Sequence, residues 1–195
     1  TTDNKTGENV MANVSPITAG AGASAFGDGS EGCGANQAFF KNTPVEINEA
    51  DVPIKIIEYG LAPDSGGPGR HRGGLSTTME FQVFAPHTVL TARNLDRMTF
   101  TPWGISGGAA GKPSKFMLNP GRANEVNLGN TDVVNADPGD VIRITAAGGG
   151  GWGPAHERDP QAVLTDVRGG FISVEGAAED YGIVIRDGEI DEQAS

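Results

Sequence analysis

The sequence has a single cysteine, Cys33, and few basic residues. One cysteine can form no disulfide within the chain, and it excludes a structural zinc site built from four cysteines. The 14 lysines and arginines stand against 25 acidic residues, which gives a net charge of −11. Because nucleic acids and anionic membranes attract basic surfaces, this balance argues against non-specific binding to either. The chain also lacks an apolar run long enough to span a bilayer, and we expect a cytoplasmic protein.

Histidine is scarce too, and the three that occur do not form a recognisable metal site. His71, His87 and His156 show neither the i, i+4 helical spacing of a zinc site nor a neighbouring cysteine pair. We therefore predict no metal ligands in this chain. No Gly-x-Ser-x-Gly elbow is present, and Cys33 has no assignable base nearby in sequence. His71 stands between two arginines and is the histidine we retain for acid–base chemistry.

Glycine and proline, in contrast, are abundant, with 30 and 12 residues. They form no low-complexity repeat, so they indicate many short elements joined by defined turns. Four consecutive glycines at 148–151 invite comparison with a phosphate-binding loop. The run lacks the Lys and Ser/Thr of a Walker loop, and Trp152 stands where the helix should begin. Close packing of this backbone against another segment is the better interpretation, and we predict no cofactor-binding residue here.

The most unusual segment is 63–74, which reads Pro-Asp-Ser-Gly-Gly-Pro-Gly-Arg-His-Arg-Gly-Gly. Glycine permits unusual backbone angles and close approach, while proline fixes φ, so together they specify one loop path. Guanidinium groups on such a loop suit bidentate recognition of carboxylate or phosphate. The loop could position a substrate, or it could clamp carboxylates of a neighbouring domain or subunit.

These considerations give a short set of candidate site residues. The candidate catalytic residues are Asp64 and His71. The candidates for substrate binding or for an interface are Arg70, Arg72 and Trp103.

The hydrophobic pattern predicts a β-rich α+β protein with short strands, Gly/Pro-rich turns and an extended N-terminal arm. Residues 1–42 have little periodic hydrophobicity and are expected to pack as an arm on a partner subunit, whereas 43–195 form a β-rich domain. Turn chemistry prevails in 101–122, and a further turn is expected at 137–140. Strands are predicted at 45–47, 54–57, 77–84, 88–90, 141–145 and 183–185.

One or two short helices are predicted near the C-terminus. The first has Asp159 as N-cap, Pro160 at its first position and a Gly169-Gly170 stop. The second is expected to start at Ser173 and to end near residue 181.

The order of the motifs closely resembles the C-terminal part of the hydantoinase B/oxoprolinase family. The resemblance covers nearly the whole chain. The motifs that carry it are Asn-Thr-Pro-Val-Glu at 42–46, Tyr-Gly-Leu at 59–61, the loop at 63–74, Pro-Trp-Gly at 102–104, Leu-Asn-Pro-Gly at 118–121, Pro-Gly-Asp at 138–140, the glycine run at 148–153, Glu-Arg-Asp-Pro at 157–160, Asp-Val-Arg at 166–168 and Asp-Tyr-Gly at 180–182.

This resemblance implies a small or C-terminal subunit of an ATP-dependent cyclic-amide hydrolase, inactive by itself. The expected partners are an ATP-binding hydantoinase A-like subunit and the N-terminal part of a hydantoinase B-like subunit, and ATP and a divalent metal are expected on these partners. A subunit of an ATP-dependent ketone carboxylase of the acetone or acetophenone carboxylase type is the enzymatic alternative. A non-catalytic β-rich binding module is the alternative from another class. A split subunit, a processed product and a fragment all remain open.

Overall fold

The computed structural model describes residues 1–14, 17–33, 43–92 and 96–193, and it confirms a β-rich α+β architecture. The strands are β1 (Ile54–Leu61), β2 (Thr77–Val83), β3 (Thr88–Thr91), β4 (Lys115–Leu118), β5 (Val126–Asn127), β6 (Val133–Ala136), β7 (Val141–Thr145), β8 (Ile185–Arg186) and β9 (Glu189–Ile190). The helices are α1 (Val45–Asp51), α2 (Pro160–Arg168) and α3 (Val174–Tyr181). None of these helices is long and apolar enough to cross a membrane.

A five-stranded antiparallel sheet in the order β1-β2-β7-β4-β5 carries the main core. Its register pairs Met79 with Ile144 and Phe81 with Ile142, and Phe116 also lies opposite Ile144. These five side chains are buried on one face of the sheet. Each buried aliphatic or aromatic side chain stabilises the fold by roughly 1.5–3 kcal/mol, so this face anchors the sheet.

Most predicted strands are confirmed, whereas one strand prediction is wrong and two other local predictions are only partly correct. The expected strand at 45–47 is instead the start of α1, where the N–H of Ile47 donates to the Pro44 carbonyl at 3.1 Å. Three alternating residues are too few to separate a strand from a helix. The region 101–122 is not turn throughout, because it contains β4. At 183–185, only Ile185 belongs to a strand, β8.

The C-terminal helices begin and end as their capping residues predict. The Asp159 side chain accepts a hydrogen bond from the Gln161 N–H at 3.0 Å, and Gly169 follows the last residue of α2. The Ser173 side chain accepts from the Gly176 N–H at 2.9 Å, and Gly182 ends α3 with φ of 71°. Both helices pack around a second, smaller core that includes Val163, Leu164, Ile172, Ala177, Tyr181 and Ile185.

Extended glycine-rich segments pack directly on one another and form what we call the glycine bundle. It comprises segments 20–22, 29–30, 65–69, 72–74, 103–111 and 147–152, which lie outside the helices and named strands. The Gly67 N–H donates to the Gly149 carbonyl at 2.7 Å, and the Gly149 N–H donates to the Gly74 carbonyl at 2.9 Å. A Cβ at Gly149 would lie 1.9 Å from the Ala21 carbonyl oxygen. Close backbone packing of the four-glycine run is thus confirmed, and many of the glycines serve this packing rather than turns.

The described part of the N-terminal segment packs on the rest of this chain. The Gly20 N–H donates to the Ala147 carbonyl at 3.0 Å, and the Ala23 N–H donates to the Gly150 carbonyl at 2.9 Å. In return, the Gly74 N–H donates to the Ala21 carbonyl at 2.8 Å. Packing of residues 1–42 on a partner subunit stays a prediction, as does the boundary at residue 42.

Candidate functional site

The glycine bundle holds the Arg70-His71-Arg72 triplet in a fixed position. His71 and Trp152 exchange two backbone hydrogen bonds of 2.9 Å, and the Arg70 N–H donates to the Gly153 carbonyl at 3.2 Å. A Cβ at Gly69 would lie 2.7 Å from the Trp152 nitrogen. The glycines before the triplet therefore allow the loop to lie directly on the backbone of residues 152–153.

Two members of the triplet, Arg70 and His71, face an open hollow of about 430 Å³, which we call the arginine hollow. Its volume lies within the range typical of small-molecule sites. The lining residues are Gly27, Asp28, Arg70, His71, Glu157, Arg158, Asp159 and Ala162.

Arg70 and His71 both lie against the ring of Trp152. The Arg70 Cζ is 5.0 Å from the ring centroid, a distance at which a cation–π interaction stabilises a guanidinium. The Arg70 Nη1 is 3.8 Å from the Glu157 Oε2, and the Arg70 side chain is 43% exposed. The His71 ring centroid is 5.8 Å from that of Trp152, and its Nδ1 is 3.8 Å from the Asp28 Oδ1. Both side chains are thus oriented but still reachable from solvent.

Arg158 forms the buried floor of the hollow, with only 5% of its side chain exposed. Its Nη1 and Nη2 donate to the two carboxylate oxygens of Asp28 at 2.8 and 2.7 Å, and Nη2 also donates to the Asp166 Oδ2 at 2.7 Å. Burial lowers the pKa of Arg158, but the hydrogen bonds and charges of Asp28 and Asp166 outweigh it and the pKa is raised. Among the described residues, its Nε has no hydrogen-bond partner.

Arg72 lies beneath the hollow rather than in it, because only 3% of its side chain is exposed. Its guanidinium donates to Glu31 at 2.6 Å and to Asp166 at 3.3 Å, and its Cζ lies 5.4 Å from the Phe171 ring centroid. Asp166 therefore bridges two buried arginines. Arg72 can fix the floor of the site, and a ligand could reach its guanidinium only after an ion pair opened.

Asp28 links the N-terminal segment to this network. Its carboxylate accepts from Arg158 and, at 2.7 Å, from the backbone N–H of Arg72. Burial raises the pKa of Asp28, yet the hydrogen bonds and charge of Arg158 and the Arg72 N–H together hold it below the ordinary value. The carboxylate therefore stays ionised down to low pH.

The other two candidate residues lie elsewhere. Asp64, with φ of 57°, accepts from the Ser173 N–H at 2.8 Å and so supports the start of α3. Trp103 is 72% exposed and is absent from the described lining of the arginine hollow. The described residues form no group of three His, Cys, Asp or Glu side chains that could hold a metal ion.

Sequence reasoning missed Asp28, Arg158 and Asp166 as part of the site. Glu157-Arg158-Asp159 reads as capping and surface pairing, whereas Arg158 is buried. Its partner Asp28 is 130 residues away in sequence, and Arg72 is 94 residues from Asp166. No local pattern identifies such pairs. The only indication in the sequence was the charged Glu157-Arg158-Asp159 run, which ends at the N-cap of α2.

A family model described as Hydantoinase B/oxoprolinase matches residues 1–155 of the chain. Caprolactamase subunit beta of Pseudomonas jessenii is 32% identical over 204 aligned positions, which cover 98% of this chain and 34% of that protein. The chain spans about a quarter to a third of the length of the curated relatives it matches.

Two solved structures share the fold. The ATP-dependent caprolactamase of Pseudomonas jessenii superposes with a TM-score of 0.77 at 29% identity, over 93% of this chain and 32% of the other. A nucleotide-free acetone carboxylase superposes with a TM-score of 0.73 at 23% identity, over 91% of this chain and 28% of the other. The matched family model and these relatives agree, and the chain belongs to the hydantoinase B/oxoprolinase family.

Proposed function

We propose that this chain is a small or C-terminal subunit of an ATP-dependent cyclic-amide hydrolase of the hydantoinase/oxoprolinase type. Its role is to shape the substrate site and to hold the subunits together. The family membership and the alignment with caprolactamase subunit beta over 98% of the chain support this proposal. The isolated chain is expected to be inactive.

The arginine hollow is the part of this chain that contributes to the substrate site. The observation that carries this assignment is the placement of Arg70, stacked on Trp152 at the mouth of the hollow, above a buried network that fixes the loop. A guanidinium held in this way can donate to a substrate carbonyl or carboxylate without losing much side-chain freedom. His71, beside it, can accept or donate a proton through its imidazole.

Partner subunits complete the enzyme in this proposal. An ATP-binding hydantoinase A-like subunit supplies ATP, and the N-terminal part of a hydantoinase B-like subunit supplies the divalent metal. Two relatives support further subunits and ATP: one is the beta subunit of a caprolactamase, and the other is an ATP-dependent caprolactamase. We propose a cytoplasmic location for the complex, because a chain with one cysteine suits a reducing compartment.

Reconstitution with the partner subunits tests the proposal. We expect ATP hydrolysis coupled to ring opening of a lactam or cyclic ureide, and native mass measurement should show the chain in the active complex. ATP-dependent fixation of bicarbonate onto a ketone, without ring opening, would instead assign the carboxylase alternative; the likeness to acetone carboxylase extends to the fold alone. A chain that is a stable monomer and joins no such complex would support the binding module.

A further inference from the structure

A second hollow, separate from the arginine hollow, lies on the polar face of the main sheet. In the register of β4 and β7, Lys115 pairs with Thr145 and Met117 pairs with Arg143. These side chains lie on the face opposite the one that buries Phe116 in the core. Segments around residues 62–65, 112–113 and 120–125 complete the walls of a hollow of about 350 Å³, which we call the lysine hollow.

The lysine hollow gathers positive charge in a strongly acidic chain. Lys112, Lys115 and Arg143 line it, whereas Glu125 is the one carboxylate of its described lining. Glu80 pairs with Arg143 through Nε, at 2.5 Å, and through Nη2, so it fixes the guanidinium on the sheet and offsets its charge. The two lysines therefore supply the excess positive charge of the hollow. Within the described ranges, neither lysine ammonium makes a hydrogen bond or an ion pair.

Nearby acidic groups do not neutralise both lysines. The Glu125 carboxylate lines the hollow and accepts from the Gly121 N–H at 2.5 Å, and among the described residues it makes no ion pair with either lysine. Asp180, in α3, interacts electrostatically with the Lys112 ammonium. Burial raises the pKa of Asp180, and the positive charge of Lys112 opposes this shift. Lys115 therefore retains a charge that no described carboxylate pairs with.

Apart from Ser65 and Thr145, the remaining walls are apolar or glycine. Pro63, Pro113, Met117 and Pro120 line the hollow beside the three cations. Small organic molecules bind in clefts of this volume that have apolar walls and a few polar or charged groups.

We propose that the lysine hollow binds a small organic anion, whose carboxylate or phosphate is held by Lys112, Lys115 and Arg143 and whose apolar part lies against Pro113 and Met117. Both anionic groups accept hydrogen bonds from ammonium and guanidinium donors. The proposal does not depend on the proposed enzymatic function, because no step of it uses ATP or a partner subunit.

Binding measurements on the purified chain test this site. Hexanoate and hexyl phosphate are titrated at constant ionic strength, with hexanamide as the neutral analogue and inorganic phosphate as the control without an apolar part. We expect saturable binding of at least one hexyl anion, and at least about tenfold weaker binding of hexanamide and of inorganic phosphate. The preferred hexyl anion then identifies the group that the hollow takes.

A charge-matched pair of variants localises the binding. Lys112→Ala/Lys115→Ala should weaken it at least about tenfold, whereas Lys5→Ala/Lys55→Ala, which removes two exposed lysines elsewhere, should leave it unchanged. The bound anion should also protect Lys112 and Lys115, but not Lys55, from an amine-acylating reagent. Circular dichroism of each variant establishes that it is folded.

The proposal would be overturned by no saturable binding of either hexyl anion to the folded chain, by equal binding to the Lys112→Ala/Lys115→Ala variant, or by equal binding of hexanamide. Protection of the two lysines that arises only on addition of a partner subunit would also overturn it, because the hollow would then be part of a protein interface.

Discussion

At the scale of single residues, the candidate site depends on a small set of buried charges. Arg72 and Arg158 are both buried, and Asp166 accepts from each of them. Breaking a buried ion pair leaves an uncompensated charge away from water, which costs far more than the loss of a surface pair. Asp166 is therefore the residue on which the floor of the arginine hollow most depends.

Asp166→Asn tests this dependence. The amide keeps the shape of the side chain but removes the negative charge shared by the two arginines, so we expect the free energy of unfolding to fall by about 3 kcal/mol in denaturant titration. Asp187→Asn is the matched control, because Asp187 is exposed and asparagine tolerates its φ of 51°. A loss for Asp166→Asn no larger than for this control would contradict the assigned role.

The lowered pKa of Asp28 predicts a pH dependence of stability. The pKa of Asp28 is lower in the folded state than in the unfolded state, where it is about 3.9. Ionised Asp28 therefore stabilises the fold at pH values above the unfolded-state pKa, and this contribution is lost as the pH falls through the folded-state pKa. Unfolding of the wild type should therefore become easier as the pH falls below about 4. Asp28→Asn should show a shallower decline over the same range, and parallel curves for the two proteins would refute the assignment.

At the scale of elements, the glycine bundle determines where the site residues lie. Its segments use glycine because a Cβ would occupy the position of a neighbouring backbone atom, as at Gly148, where it would lie 1.7 Å from the Ser65 carbonyl oxygen. The Arg70-His71-Arg72 loop is attached to this bundle on the side of Gly149–Gly153. We expect the bundle to respond to added side chains far more strongly than ordinary turns do.

Gly149→Ala should destabilise the chain by about 3 kcal/mol, because the methyl group would collide with backbone rather than with a side chain that can move aside. Gly60→Ala is the control, since a Cβ there has no heavy atom within 4 Å, and alanine in a strand should be neutral or stabilising by up to about 1 kcal/mol. Thermal or denaturant unfolding of both variants measures the difference. Equal free energies of unfolding for the two variants would contradict direct backbone packing at Gly149.

The elements also show how far the sequence could predict the structure. The caps of α2 and α3 are local, so Asp159, Ser173 and the following glycines predicted both helices. The four-residue β4 and the start of α1 have patterns too short to interpret. Only part of the site could be predicted from the sequence. Arg70 and His71 lie in a conspicuous loop. Asp28, Arg158 and Asp166, in contrast, come together only through long-range packing. The roles of all these residues in a reaction stay predictions.

At the scale of the whole molecule, the described part of the N-terminal segment and the C-terminal helices meet through the ion-pair network. Asp28 and Glu31 come from the N-terminal segment, Asp166 comes from α2, and Arg158 comes from the turn directly before α2. Arg72 joins them. This connection implies that residues 17–33 and the glycine loops unfold together as one cooperative unit.

Hydrogen exchange on the isolated chain measures this coupling. The N–H groups of Ala21, Ala23 and Gly29 donate within the chain, so we expect them to be protected to the same degree as Gly67 and Gly149. Asp28→Asn should lower the protection of both sets together. Rapid exchange throughout 17–33 while Gly67 and Gly149 stay protected would mean instead that the segment needs a partner subunit to become ordered.

The most direct test of the central claim is the steady-state kinetics of Arg70→Ala in the reconstituted complex. If the arginine hollow positions the substrate, ATP-coupled ring opening should lose at least about tenfold in kcat/KM, since a guanidinium–acceptor hydrogen bond is worth roughly 1.5–3 kcal/mol. Arg186→Ala removes another surface arginine that pairs with a carboxylate, and it should leave kcat/KM unchanged. Full activity of an intact complex that carries Arg70→Ala would contradict the account.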